Sequence, residues 1–434
     1  MHADLRIDTR WLLPMTDDAP VLENHSVFVT DGRIVLVQPT EVAGPEAAER
    51  IVLDQHALLP GYINAHGHAA MSLFRGLADD LPLMTWLQDH IWPSEAKWVD
   101  SSFVYQGTQL AIAEMLRCGT TTFADMYFYS SDSIDAALEA GIRTVSFTPV
   151  LDFPTNFAQN ADEYIRKTMD VHNKYRHQPL AHIGIGPHAP YTVSDGPLKE
   201  IAVLANQTGM PVQIHLHETA FEVQQSVEER RIRPTQRLAE LDFLNESVSC
   251  VHMTQIDETD IKLLQQTGAS VVHCPESNLK LASGFCPIEN LIQAGVNVGI
   301  GTDGAASNND LNIQGEMKTA AMLAKAVAND AAALNAMSAL KMATINSARA
   351  LRIDDVTGSI EVGKFADLQA VRLDALTQTP IYDPASQLVY TDSSRYTEYT
   401  WVAGKALLHS GRLTSIDENA VTENARLWQN KIQP

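Results

Sequence analysis

Residues 60–71 read Pro-Gly-Tyr-Ile-Asn-Ala-His-Gly-His-Ala-Ala-Met, directly after an apolar run from Ile51 to Leu59. His66 and His68 stand two residues apart. On a strand, side chains at i and i+2 share one face, so both imidazoles converge at the end of a buried strand. Neutral imidazole is the commonest metal ligand, which makes the pair half of a candidate zinc or iron site. With fifteen histidines in 434 residues, a chance His-x-His is commonplace, and two unrelated loop histidines read equally well at this point.

Beyond this stretch, short apolar runs alternate with longer amphipathic segments. The runs are 57–64, 119–125, 143–150, 181–187, 212–217, 248–252, 270–273 and 297–301. Helix-like stretches at 102–118, 133–140, 197–208, 234–241, 257–267 and 287–294 lie between them. Such alternation predicts parallel strands with crossover helices, and eight units over about 300 residues predict a TIM (β/α)8 barrel. A doubly wound open sheet is the alternative; polar residues at so many strand ends favour the barrel. Two connections are long: 69–101, with Trp86, Trp92 and Trp98, and 152–180. Long loops after barrel strands lie on the catalytic face and serve as lids.

The flanks read differently. Ser26–Thr30 and Arg33–Val37 bracket Asp31-Gly32, a hairpin signal because a two-residue type I′ turn needs positive φ. Short strands return at 366–371 and 400–408. The expected division is 1–58 and 356–434 as two parts of one small β-sandwich, and 59–355 as the catalytic barrel.

Composition narrows the function. A net charge of −22 repels polyanions, and no basic stripe with interleaved aromatics argues for nucleic acid. No phosphate-binding glycine loop follows a strand. No apolar run reaches the length of a membrane span and residues 1–10 carry no apolar signal region, so a cytoplasmic protein is expected. Cys118, Cys250, Cys274 and Cys286 form no Cys-x-x-Cys pair and read as reduced, buried thiols. A neutral or zwitterionic small molecule fits this surface best.

The strand ends carry the chemistry. In order they present His66 and His68, then His188, then His215, His217 and Glu218, then His252, His273 and Asp303. In a barrel these ends meet at one mouth, and so many imidazoles there favour a metal site over scattered structural histidines.

With these residues in place, the chain resembles the amidohydrolase superfamily over essentially its whole length. The resemblance rests on Pro-Gly-x-x-Asn-x-His-x-His at 60–68, His-x-x-Glu at 215–218, His252, Gly-Thr-Asp-Gly at 301–304 and Gly-Ser-Ile-Glu-Val-Gly-Lys-Phe-Ala-Asp-Leu at 358–368. Subtypes with two metals bridge them by a carbamylated lysine at the fourth strand, where this chain has His188 and no lysine. The mononuclear subtype is therefore implied, with His66, His68, His215 and Asp303 as ligands to one Zn²⁺ per subunit. Fe²⁺ suits the same ligands. The implied chemistry is hydrolytic deamination of an aromatic amidine: Asp303 takes the proton of the attacking water, His252 orients it, and Glu218 protonates the ring nitrogen.

Closer still, 66–81, Trp86-Leu, Gly186-Pro-His-Ala-Pro-Tyr, Ser277-Asn-Leu-Lys-Leu and 301–309 resemble the 5′-methylthioadenosine/S-adenosylhomocysteine deaminases. That resemblance implies a nucleoside substrate, with Trp86 against the nucleoside, Glu95 on the ribose hydroxyls and His188 on the purine. Glu218 and Asp303 also touch the substrate. Family members that handle S-adenosylhomocysteine use arginines after the third strand; here 144–155 contains none. A preference for the methylthio compound is expected, its tail near Thr148, Val150 and Phe153, with Met84 a further candidate. Guanine deaminases and triazine chlorohydrolases share the ligands and stand as alternatives, as does a non-enzymatic scaffold. A homodimer is a common arrangement for such barrels.

Overall fold

The computed structural model describes residues 2–16 and 20–433. Among the described residues, sixteen strands form two sheets of eight. The first four are β1 (His2–Leu12), β2 (Leu22–Thr30), β3 (Arg33–Pro39) and β4 (Glu46–Pro60). The barrel strands follow: β5 (Tyr62–Asn64), β6 (Thr120–Asp125), β7 (Arg143–Val150), β8 (Ala181–Pro187), β9 (Val212–Leu216), β10 (Val248–His252), β11 (Ser270–His273) and β12 (Val298–Ile300). The last four are β13 (Leu368–Arg372), β14 (Thr397–Val402), β15 (Lys405–His409) and β16 (Arg412–Leu413).

Strands β5 to β12 lie in sequence order and pair in parallel. The Ala65 amide donates to the Ile300 carbonyl at 2.9 Å, closing the ring. Parallel strands are covered on both faces, so they read as unbroken apolar runs. Along β9 and β10, Ile214 and Cys250 face the helical layer, while Val251 faces the barrel interior with Val145, Phe147 and Val272.

The run expected at 57–64 divides between the two sheets. Its first half ends β4, which pairs with β1 and β13, and its second half is β5. Gly61 is the pivot, where a Cβ would sit 2.0 Å from the Thr121 methyl. The terminal strands join in the order β16-β15-β14-β13-β4-β1-β2-β3. Hydrogen bonds from Ile34 to Lys364 and from Ala366 to Gly32 fold this sheet back on itself, over a core that includes Ile7, Val27, Leu58 and Trp401. The Asp31-Gly32 hairpin forms as read, with φ of 50° and 74° between paired Thr30 and Arg33.

The segment 152–180 divides: residues 153–157 line the mouth cavity, with Asn156 donating to the Ala96 carbonyl at 2.8 Å, and the remainder is not a lid. It contains a crossover helix, Ala161–Tyr175, capped by the Asn160 side chain and burying Tyr164, Ile165, Thr168 and Val171. A second helix without a sequence expectation, Ile313–Ala328, follows the eighth barrel strand. The other long connection does cover the mouth. Its helical part runs from Leu83–Thr85 through a π-turn at Trp86–Ile91 to Trp92–Trp98. Asp79, at the base of this lid, pairs with Lys280 at 2.6 Å and accepts from Asn309 at 3.0 Å. No described helix is long and apolar enough to cross a membrane.

Candidate active site

Strand β5 stops at Asn64, so His66 and His68 stand just beyond it rather than on it. Their rings nevertheless meet, with centroids 4.9 Å apart, because the backbone is held by the last barrel strand. The Asp303 amide donates to the His66 carbonyl at 3.0 Å. Gly301 permits this approach: a Cβ there would lie 2.7 Å from the His66 nitrogen.

Each of the three imidazoles has its tautomer set by a partner on Nδ1. His66 donates to Gln213 Oε1 at 2.7 Å, and that amide is oriented by its own bond to the Ala65 carbonyl. His68 donates to the Met126 carbonyl at 2.7 Å, and His215 to the His188 carbonyl at 2.8 Å. In the neutral rings every Nε2 is therefore a lone pair; against the lowering by burial, the Asp303 carboxylate beside His68 raises that ring to about 9. The Nε2 atoms of His66 and His215 lie 3.2 Å apart, and Asp303 Oδ1 lies 3.5 Å from His66 Nε2 and 3.2 Å from His68 Nε2. Three facing acceptors and a carboxylate repel one another unless a cation lies between them. This donor set fits a divalent metal, and the Nδ1 contacts are the outer partners that such ligands use. His66 also groups with His215 and His252 within ligating distance.

Asp303 is fixed as firmly. Its Oδ2 accepts from Ser277 at 2.7 Å and Ser307 at 3.0 Å. Its φ of 62°, like the 76° of His252 and the 53° of His217, lies in the left-handed region that costs a non-glycine residue about 1–3 kcal/mol. Such strain persists only where surrounding contacts over-determine it.

His252 donates Nδ1 to Asn278 Oδ1 at 2.8 Å, which leaves Nε2 facing Glu218 Oε2 at 3.9 Å. Burial, reinforced by the Asp303 carboxylate, pushes the Glu218 carboxyl up to about 8. This shift favours the protonated form of Glu218 at neutral pH. Burial holds His188 down at about 4, so its ring is neutral, with Nδ1 against Thr192 Oγ1 at 3.0 Å.

His68, His188, His215, Glu218, His252 and Asp303 open on one cavity of about 520 Å³, lined also by Trp86, Glu95 and Phe153, with His66 fully buried beneath them. Glu95 accepts from the Tyr127 hydroxyl at 2.8 Å, and burial raises it to about 7. Two expected strand-end histidines lie elsewhere. His217 is buried against Thr235 and the Gln255 carbonyl. His273 is buried with neither ring nitrogen hydrogen-bonded, in step with outward-facing Val271. The tail expectation is corrected too: Thr148 bonds to Ser130, Val150 packs into the helical core, and Met84 is not among the lining residues. Pro149 and Leu151, the alternate residues of β7 and its end, face the cavity with Phe153.

The supporting residues Gln213, Asn278, Tyr127, Ser277 and Ser307 had no assigned role in the sequence. Gln213 carried a signal, since it precedes His215 by two on one strand face. Asn278 lies in the quoted stretch Ser277-Asn-Leu-Lys-Leu, with no role attached to it, and Tyr127 comes from another element and carried no signal.

The amidohydrolase family matches residues 57–407. A 5-methylthioadenosine/S-adenosylhomocysteine deaminase of Saccharophagus degradans is 52% identical over 99% of this chain and 97% of its own length. The enzyme of the same name from Teredinibacter turnerae is 47% identical over 99% and 98%. An adenosine deaminase structure from Xanthomonas campestris, with bound zinc, superposes with a TM-score of 0.98 at 47% identity, covering 100% of this chain and 99% of that one. An atrazine chlorohydrolase from Arthrobacter aurescens shares the fold, with a TM-score of 0.92 at 23% identity over 98% and 99%. With its whole length accounted for in this way, the chain belongs to the amidohydrolase family, alongside the 5-methylthioadenosine/S-adenosylhomocysteine deaminases.

Proposed function

We propose that this enzyme removes the 6-amino group of 5′-modified adenosines by hydrolysis, converting 5′-methylthioadenosine and water to 5′-methylthioinosine and ammonia. This reading rests on the convergence of His66, His68, His215 and Asp303 at one cavity, with the buried Glu218 carboxyl 3.9 Å from His252 Nε2. The ion is Zn²⁺, one per chain, held by His66, His68, His215 and Asp303. When bound, it makes hydroxide available from water near neutral pH.

The residues divide the remaining work. Asp303 accepts the proton of the attacking water. His252, oriented by Asn278, holds that water in line with the ring carbon. Glu218 protonates the ring nitrogen beside the attacked carbon, so the developing negative charge is neutralised as the C–O bond forms. Proton delivery to the amino group then lets ammonia leave. Trp86 stacks on the nucleoside, His188 bonds the purine, and Glu95 accepts both ribose hydroxyls, as a carboxylate suits a vicinal diol.

The 5′ substituent faces Leu151, Phe153 and Trp92. Among the described residues that line the cavity there is no lysine or arginine. A buried carboxylate without a cation costs several kcal/mol, which supports methylthioadenosine as the better substrate and S-adenosylhomocysteine as the poorer. The test is ammonia release from adenosine, 5′-deoxyadenosine, methylthioadenosine, S-adenosylhomocysteine, guanine and cytosine. Release from methylthioadenosine above the others is expected; no release from any adenine nucleoside overturns the reading.

A further inference from the structure

Glu222 is buried, at 4% exposure, on the first turn of helix Ala220–Arg230. Its two oxygens are not free. Oε1 accepts the His217 amide and Oε2 the Glu218 amide, both at 2.9 Å. The helix is capped by Thr219, whose hydroxyl accepts the Glu222 amide at 3.4 Å. In an ordinary capping box the third helical residue reaches back to the amide of the capping residue itself. Glu222 reaches past Thr219 to the two residues before it. Its carboxyl group therefore does more than finish a helix end: it clasps the backbone that carries Glu218.

The opposite side of that backbone is held as well. The Thr254 hydroxyl donates to the Glu218 carbonyl at 2.7 Å, and the Thr254 and Gln255 amides donate to the His217 carbonyl at 3.0 and 3.1 Å. His217 sits in the left-handed region, φ 53°, where the chain turns off β9. Without fixed partners on its amides, this turn would relax and swing the Glu218 side chain. The clasp is also costly to keep. Glu222 lies with no lysine or arginine among its partners and beside the Glu218 carboxyl. A plain helix end would be satisfied by water at a lower cost.

Resting on the reading of Glu218 as the acid, we infer that Glu222 is a positioning residue for the deamination: by gripping the amides of His217 and Glu218 it sets the Glu218 carboxyl within reach of the ring nitrogen. It touches neither substrate nor metal ligand. Its influence passes entirely through Glu218, and this makes the inference separable from the mechanism that it rests on.

The test compares Glu222→Gln and Glu222→Asp with Glu218→Gln and the double variant E218Q/E222Q, using the metal-loaded enzyme and methylthioadenosine. Gln keeps the length but sets an NH₂ against one amide. Asp keeps the carboxyl group but falls one methylene short. Both should lower kcat by about 10- to 100-fold, a fraction of the contribution of a general acid. KM should stay within about twofold, and the metal content should match that of the wild type. E222Q should add nothing in the E218Q background, because coupled residues are non-additive. Folded Glu222 variants with wild-type kcat overturn the inference while E218Q keeps only the residual rate left by losing a general acid, about 10²- to 10⁴-fold down. If E218Q has wild-type activity, the reading of Glu218 fails instead. Parallel loss of KM and metal content in the Glu222 variants, or a full further loss in the double variant, assigns Glu222 a purely structural role and also overturns it. If one of the two Glu222 variants does not fold, the other decides.

Discussion

His66 Nε2 and His215 Nε2 face each other at 3.2 Å with no proton available between them, because each ring has committed its one N–H to an acceptor on Nδ1. Two lone pairs at hydrogen-bond distance are an arrangement that only a cation rationalises. Removing the metal with a chelator should therefore abolish activity and also lower the melting temperature. A ligand held at 100 times its Kd adds about 2.7 kcal/mol to folding stability, and re-addition of zinc should restore both. Retention of activity in metal-free protein would contradict the site.

The orienting partners should matter nearly as much as the ligands. Gln213→Leu removes the acceptor that fixes the His66 tautomer without touching a ligand. Loss of such a partner costs about 10- to 100-fold in metal affinity or activity. The expected outcome is a rightward shift of that size in zinc titrations, with activity recovered at high zinc. Wild-type affinity in Gln213→Leu would show that the tautomer is set some other way.

How far the sequence carried these conclusions varies with the physics of each element. Barrel strands β6 to β11 lie within a residue or two of their expected limits because both faces are covered, so burial is written as unbroken apolar runs. Ala161–Tyr175 was hidden by its charged face: Asp162, Glu163, Arg166 and Lys167 mask the buried line through Tyr164, Ile165 and Thr168. That His66, His68, His215 and Asp303 meet was legible because strand ends converge, but strand periodicity stops where the strand stops. His217 leaves the mouth through its positive φ, and His273 falls on the outward phase of β11. Tyr127 and Asn278 meet their partners Glu95 and His252 only after folding, from elements 32 and 26 residues away, and no local pattern records that.

The Arg143–Asp367 pair joins the barrel floor to the terminal sheet. Both side chains are fully buried, with Nε to Oδ2 at 2.8 Å. Arg143 also reaches the Pro179 carbonyl, and Asp367 accepts the Ala403 amide at 2.7 Å. Breaking one side of such a pair leaves an uncompensated buried charge and costs about 3–5 kcal/mol. Asp367→Ala should show this as a lowered urea midpoint, with KM unchanged in the fraction that folds. A loss below about 1 kcal/mol would show that water replaces the carboxylate.

Glu95 gives the pH dependence a direction. Burial raises its carboxyl to about 7, against a usual value near 4.3. Gripping a ribose diol needs the ionised form, since a protonated carboxyl loses one acceptor. KM should therefore rise as pH falls through about 7, while kcat follows other groups. Stability runs the opposite way: the folded state binds the extra proton between about 4.3 and 7, so this residue destabilises the fold as pH rises across that window. Glu95→Gln should weaken nucleoside binding and flatten the KM profile. A KM that is independent of pH in the wild type would sink the assignment.

Phe153 stands at the mouth of the cavity, 40% exposed, with Trp92 at a centroid distance of 6.4 Å. No cation lines this end among the described residues, so an amino-acid tail meets apolar walls. Replacing Phe153 with Arg supplies a guanidinium where a carboxylate would otherwise go unpaired. A charge-assisted, partly exposed pair is worth about 1–3 kcal/mol, or roughly one to two powers of ten in binding. Phe153→Arg should raise kcat/KM for S-adenosylhomocysteine relative to methylthioadenosine by about tenfold or more. Part of the change should come from poorer use of the methylthio compound, which loses its aromatic wall. An unchanged ratio would place the 5′ substituent on a different wall of the cavity.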